Sequence, residues 1–466
     1  MRPRRSTAVL AAAAAAALVV TAAPAAYAGK PGTWTTISGP GVANISEPGM
    51  VRTADGTVHV AIQRTSSNLD SIDVAHVNSK GTLTGRHTAV PGWEGTTEDP
   101  DLMIAPGGGL RMVFGGTRTL VSGDPYNEGY VYQAFAPASG TPWTLASNMT
   151  PAVASPNGYA SYGTGTTQLA DGTLVTAFPL NSTITYQVGN TPPQSFTVPD
   201  CCAYDMTLVR SGNTVYAAWY ANGDLPQHQG VFVRAIYPAL GPIIQAPGSV
   251  SGGDSLDTGQ AVAMVARAGG GVYLAYLNGY PTAKAVALWR LGSSKPMLIK
   301  GTKGANNLAM SAGAGGRLWL AFDNGDDDIS VVHTNAAATG VGALQTIRTP
   351  KNSTVYGVNI EGSGPSAHVV FNNGSAILHQ QVLPGLSLKA SPKKFKANQK
   401  HKVTFKVTDA GAAVKGAKVK AKGMSCTTNK KGKCSITFPK LSPQSIKVTA
   451  KENGYADAQV KVKVKK

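Results

Sequence analysis

The chain has few of the residues that build a metal or redox centre. Its 466 residues include 4 cysteines and 8 histidines. No Cys-x-x-Cys pair and no His-x-x-x-His or His-Glu-x-x-His spacing occurs, so the usual zinc ligand orders are excluded. Long helical periodicity is missing as well. After the N-terminus there is no apolar run near the roughly 18 residues that a spanning helix needs. Residues 386–466 contain no arginine, which removes the planar fork that reads guanine and argues against sequence-specific nucleic-acid binding. What is abundant is glycine (54) and proline (29), the punctuation of strands joined by turns.

The N-terminus reads as an export signal. Arg2, Arg4 and Arg5 precede an apolar stretch from Ala8 to Val20, and Ala26-Tyr27-Ala28 is a small-x-small cleavage sequence. The spacing predicts a signal peptide over 1–28 and a secreted, extracellular protein. Its charge is strongly partitioned. The chain carries +18 overall. Residues 386–466 alone hold 21 lysines against Asp409, Glu452 and Asp457, whereas 29–385 is slightly acidic.

One pattern organises 29–385. Leu318-Trp319-Leu320-Ala321-Phe322 alternates apolar residues, ends in an aromatic and meets the turn Asn324-Gly325. Val215 to Trp219 before Asn222-Gly223 and Val272 to Tyr276 before Asn278-Gly279 repeat it, and looser copies end at Ile62, Phe114, Phe178 and Phe371. The copies stand 41 to 64 residues apart, the period of propeller blades with insertions. The expected fold is all-β: a seven-bladed, alternatively six-bladed, β-propeller, with the Trp34–Ser38 strand closing the last blade. Trp219, Tyr276 and Phe322 are expected to wedge neighbouring blades together. Insertions point to Gln194–Tyr204 as the preferred binding segment. Past Pro384-Gly385, runs such as Lys402 to Val407 alternate lysine with apolar residues, the signature of half-buried antiparallel strands. Residues 386–466 are expected to form a small β-sandwich resembling bacterial Ig-like domains, with Cys426 and Cys434 bridged across a hairpin around Asn429–Gly432. Cys201 and Cys202 are adjacent; they form a vicinal ring or stay reduced.

Across about 33–385 the chain resembles the sialidase-like (BNR, Asp-box) propeller superfamily. Pro48-Gly49-Met50-Val51-Arg52 looks like the first-blade segment that follows Arg-Ile in sialidases. Ala136-Pro137-Ala138-Ser139-Gly140-Thr141-Pro142-Trp143 stands where an Asp box would be. The departures bear on chemistry. Ser46 and Glu47 replace the Arg and Ile, and Ala136 and Ala138 replace the Ser and Asp of the box. Sialidases hold a carboxylate with three arginines, whose forks match it bidentately. Arg52, Arg64 and Arg111 are the candidate binding arginines here, with Arg118, Arg234 and Arg267 in reserve and Tyr204 as a candidate contact.

Glycoside hydrolysis of any kind needs two convergent carboxyl groups. Glu47, Asp99 and Asp205 are the candidate catalytic acids, with Glu98, Asp101, Asp70 and Asp73 nearby in the pattern. The bland alternative is that these acids bond backbone amides at the channel mouth. No cofactor is expected. Asp323–Asp328 is the one run compatible with calcium, and a solvated hairpin turn explains it too. The leading expectation is a non-catalytic binder whose propeller face recognises an extracellular glycan or protein. Its basic module would bind an anionic cell-wall polymer. The alternatives are a carbohydrate-active enzyme, exo-α-sialidase-like, and an adhesion protein without a small ligand.

Overall fold

The computed structural model describes residues 32–42, 47–66, 69–94, 97–116, 118, 130–146, 164–180, 182–199, 203–223, 225–249, 262–279 and 283–466. The signal-peptide region and Cys201-Cys202 lie outside them. Among the described residues no helix is long and apolar enough to cross a membrane.

Seven four-stranded antiparallel sheets follow one another along residues 35–382, the arrangement of a β-propeller. The first holds Gly49–Arg52, Val58–Ser66, Leu69–Val77 and Leu83–Trp93 in that order. The seventh is built differently: Gly357–Glu361, Ala367–Asn372 and Ile377–Val382 are completed by Thr35–Thr36. Thr35 pairs with His379 and Thr36 with Leu378, so the N-terminal strand closes the ring as the spacing predicts. Closure removes open sheet edges, which would otherwise template aggregation.

The apolar core lies in the seams between sheets. Trp219 is fully buried between Phe196 of the third sheet and Phe232 of its own, with centroids 5.8 and 5.9 Å away. Tyr276 fills the seam between the fourth and fifth sheets and Phe322 that between the fifth and sixth. Burying a side chain of this size contributes about 1.5–3 kcal/mol, which accounts for the aromatic that recurs once per repeat.

Residues 387–465 form two further sheets packed as a sandwich. One holds Ser387–Ser391, His401–Asp409, Ala412–Ala413 and Lys433–Phe438; the other holds Lys394–Lys396, Ala458–Lys465, Gln444–Lys451, Lys418–Ala421 and Met424–Thr427. In the longer strands alternate residues enter one core around Phe405, Phe438, Val448 and Val462. The disulfide between Cys426 and Cys434 is present, with the Asn429–Gly432 turn inside it. It does not cross a hairpin, however. After the turn the chain changes sheet, so the bridge ties one sheet of the sandwich to the other.

The sandwich is fastened to the sixth ring sheet. Asp409, 1% exposed, accepts from Arg317 Nη1 at 2.6 Å, and His333 Nε2 lies 3.0 Å from its other oxygen. Burial alone would raise the Asp409 pKa; the bonds from His333 and Arg317 overcome this and hold it low.

Candidate functional site

In each ring sheet the first strand is the innermost. In the first sheet Gly49 pairs with Ala61 and Arg52 with Val58, so inner strands begin where second strands end. That end of the ring is the entry end here, and the opposite one the exit end.

The polar groups of the entry end brace one sheet to the next. Asp70 of the first sheet accepts Thr97 N, which opens the inner strand of the second, at 3.1 Å. Asp205 of the fourth accepts Val262 N, which opens the fifth, at 2.6 Å. Asn307 of the sixth donates to Val355 O beside the seventh at 2.9 Å, and Asn359 of the seventh donates to Pro48 O beside the first at 2.8 Å. A buried amide left without a partner costs about 1–3 kcal/mol, so each brace satisfies a group that sheet pairing leaves over. Asp205 adopts φ 53°, a backbone conformation that Asp tolerates better than most residues.

The arginines do the same at the exit end. Arg52 Nε lies 2.6 Å from Glu361 Oε2, both almost fully buried, and Arg52 also donates to Gly56 O and Ser366 O. This joins the first sheet to the seventh. Arg111 Nη1 donates to Gly172 O of the third sheet at 2.8 Å while its guanidinium lies over Phe135; burial pushes its pKa down. Arg267 Nη1 reaches Ala336 O of the sixth sheet at 2.6 Å. Arg234 donates to Gly241 O and lies over Phe196.

The expected site residues are therefore scattered. Arg52 and Arg111 sit at the exit end, away from the inner-strand starts. Arg64 is at the entry end but is bound to Asp73 at 2.7 Å and to Pro40 O at 2.9 Å. These three do not converge into a carboxylate clamp. Glu47, Asp99 and Asp205 all stand at or near inner-strand starts. Asp205 is a brace, Glu47 is half-buried and partnered, and the Asp99 side chain is outside the described residues. Tyr204 is exposed on the inner strand of the fourth sheet. Gln194 is not beside it. The Gln194–Thr197 strand runs from exit to entry end, so Gln194 instead lines a cleft of about 220 Å³ at the exit end with Tyr186, Tyr237 and Leu240.

Asp101, deeper on the inner strand of the second sheet, accepts Thr166 Oγ1 at 2.6 Å, and burial raises its pKa to about 6. The acidic turn is held by backbone amides of its own and of the segment that leads to the seventh sheet. Asp323 accepts Gly325 N, Asn324 accepts Asp326 N, and Asp327 and Asp328 accept Val355 N and Thr349 N. Among the described residues no group of three or more His, Cys, Asp or Glu is placed to hold a metal.

The Asp-box-like turn also has a packing role. It joins the third and fourth strands of the second sheet and lies against a buried imidazole pair of the first. A Cβ at Gly140 would run into the His76 ring and come within 2.8 Å of His59 Nδ1. His59 Nδ1 and His76 Nδ1 are 2.8 Å apart, and burial lowers both to about 4. A second pair, His368 and His379, stands in the seventh sheet, with burial lowering them to about 2 and about 3. Neither the braces nor the paired imidazoles are visible as motifs. The one signal in the sequence is an Asp or Asn near the start of some inner strands, such as Asp101, Asp205, Asn307 and Asn359.

No protein family and no curated protein matches the sequence. Solved structures overlap it at low identity. A variant of the NanB sialidase from Streptococcus pneumoniae gives a TM-score of 0.44 at 9% identity over 74% of this chain and 70% of that one. The polysaccharide lyase Uly1 gives 0.43 at 9%, over 78% and 94%. The intramolecular trans-sialidase of Ruminococcus gnavus gives 0.37 at 9%, over 73% and 96%. Overlaps of this size decide no chemistry, which rests on the side chains described above.

Proposed function

We propose that this is a secreted binding protein of two domains: a seven-bladed, sialidase-like propeller over 29–385 and an Ig-like module over 386–466. The propeller recognises an extracellular glycan or protein, and the basic module holds an anionic cell-surface polymer. The observation that carries this reading is the division of charge. In the ring, Asp70, Asp205, Arg52 and Arg111 are engaged in bonds between sheets, whereas 386–466 sets 21 lysines against 3 acids. A one-sign field of that density attracts polyanions and does so in a salt-dependent way.

A second reading, a glycan-cleaving enzyme, is favoured by Asp101. A carboxyl group that keeps its proton to about pH 6 has the property of a general acid. The test incubates the secreted protein with acidic, sialylated and neutral polysaccharides, with mass spectrometry for released sugars and pull-down for retention. Retention without product, abolished by raised salt, is the expected result. Product that disappears in Asp101→Asn would overturn the binding reading in favour of the enzyme.

A further inference from the structure

The lysines of the sandwich are not spread evenly over its surface. In the five-stranded sheet Phe395, Ile446, Val448, Val419, Val462 and Val464 point into the core. The alternate positions, on the outer face, are exposed and are mostly lysine. The register sets these lysines directly opposite one another. Lys447 faces Lys461, Lys418 faces Lys451, and Lys394 and Lys396 face Lys463 and Lys465. Neighbouring strands lie about 4.8 Å apart and same-face residues about 6.7 Å apart along a strand, so the lysine positions form rows across the face, interrupted by Ser445, Thr449 and Gln459. The described ion pair at its margin is Lys451 with Asp457.

Like charges placed directly opposite destabilise a sheet, and a surface built for solubility alone mixes both signs. The arrangement therefore has a stability cost that a bound polyanion would relieve. The face also limits what that polyanion is. It has no arginine, so no bidentate fork for carboxylates. The aromatics of 386–466 are Phe395, Phe405, Phe438 and Tyr455; the three phenylalanines are core residues and the tyrosine packs against the core. No ring is presented on which a sugar or base would stack. What remains is a flat array of point charges, suited to a flexible chain that carries one negative charge per backbone repeat.

We propose that the outer face of the five-stranded sheet binds a linear poly(alditol phosphate), its phosphodiesters lying on the lysine rows. This rests on the reading that the basic module binds an anionic polymer, and it names the surface and the ligand class.

The test uses the full chain and poly(glycerol phosphate) of defined length, with affinity measured from low to moderate salt. The triple Lys447→Gln, Lys461→Gln, Lys463→Gln is compared with Lys389→Gln, Lys406→Gln, Lys433→Gln. The second triple removes an equal charge from a cross-strand row of the other sheet. Removing three phosphate contacts is expected to cut affinity at least about tenfold and to flatten the log–log salt slope by about 2, with the second triple within about twofold of the parent. Equal losses in both triples would overturn the surface assignment while leaving anion binding by the module intact. Tighter binding of polygalacturonate, duplex DNA or phosphatidylglycerol vesicles at matched charge would overturn the phosphate-polymer assignment. Absence of binding to all four probes would remove the underlying reading as well. Thermal melting of both triples confirms folding, and the first is expected to melt no lower than the parent because it removes like-charge pairs.

Discussion

Asp70, Asp205, Arg52 and Arg111 in the ring each reach across a seam to a backbone group or an opposite charge. Lys447, Lys461 and Lys463 in the sandwich reach out to water beside others of their own sign. Both regions are built of strands, so the contrast does not come from secondary structure. It comes from where leftover polar groups lie. A ring of sheets leaves unpaired amides and carbonyls at both ends of every seam, and charged side chains satisfy them. A two-layer sandwich buries its seam in hydrocarbon and leaves its outer faces free to carry any charge. A charge in the ring is therefore read first as architecture, and one on the sandwich as a surface property.

The contrast is broken most severely at Arg52. Truncation to Ala strands Glu361 in a buried site, and breaking a buried pair costs about 3–5 kcal/mol. Denaturant unfolding of Arg52→Ala is expected to show the ring transition shifted by that amount and the sandwich transition unmoved. Acid separates the regions next. His59, His76, His368 and His379 have folded pKa values lowered below the ordinary 6.5, so below pH 6.5 the unfolded ring binds more protons than the folded one. Asp101 and Asp323, raised to about 6, act in the opposite sense between about pH 4 and 6, but two groups do not offset four. Ring stability is expected to be complete above pH 6.5 and to fall steadily toward pH 4, as followed by the near-ultraviolet signal of Trp219 and Trp289. His368→Gln is expected to weaken that dependence.

On the sandwich side, Cys434→Ser opens an eight-residue loop and is expected to cost about 2–3 kcal/mol, read in the sandwich transition alone. The smallest effect has the opposite sign. Lys447→Gln removes a facing like-charge pair and is expected to stabilise the sandwich by about 0.2–1 kcal/mol at low salt, the gain fading as salt rises.

The local regularities of this fold are legible in the sequence. Alternation followed by Asn-Gly at Phe322 or Tyr276 reports a strand and its hairpin, and the spare strand at Trp34 has one place to go in a closed ring. The alternation of lysine with valine at 460–465 marks one wet and one dry face. What decides the candidate site is not local. Arg52 meets Glu361 309 positions away, Arg317 meets Asp409 92 away, and Asp205 meets the first amide of the following sheet. None of these pairings has a period, so the same residues read equally well as clamps, catalysts or braces until the seams are known. The disulfide shows this at short range. An eight-residue spacing around a turn looks like a hairpin, and only the core pattern reveals that the chain changes sheet between Cys426 and Cys434.

Arg317 and His333 grip Asp409 at the exit end of the sixth sheet, which makes the two ends of the ring unequal to anything approaching from outside. One end is a mounting, occupied by the protein's own appendage. The other is the end at which all the inner strands begin. A change in the sandwich that reaches Asp409 is therefore felt first at the exit end, through Arg317 and His333.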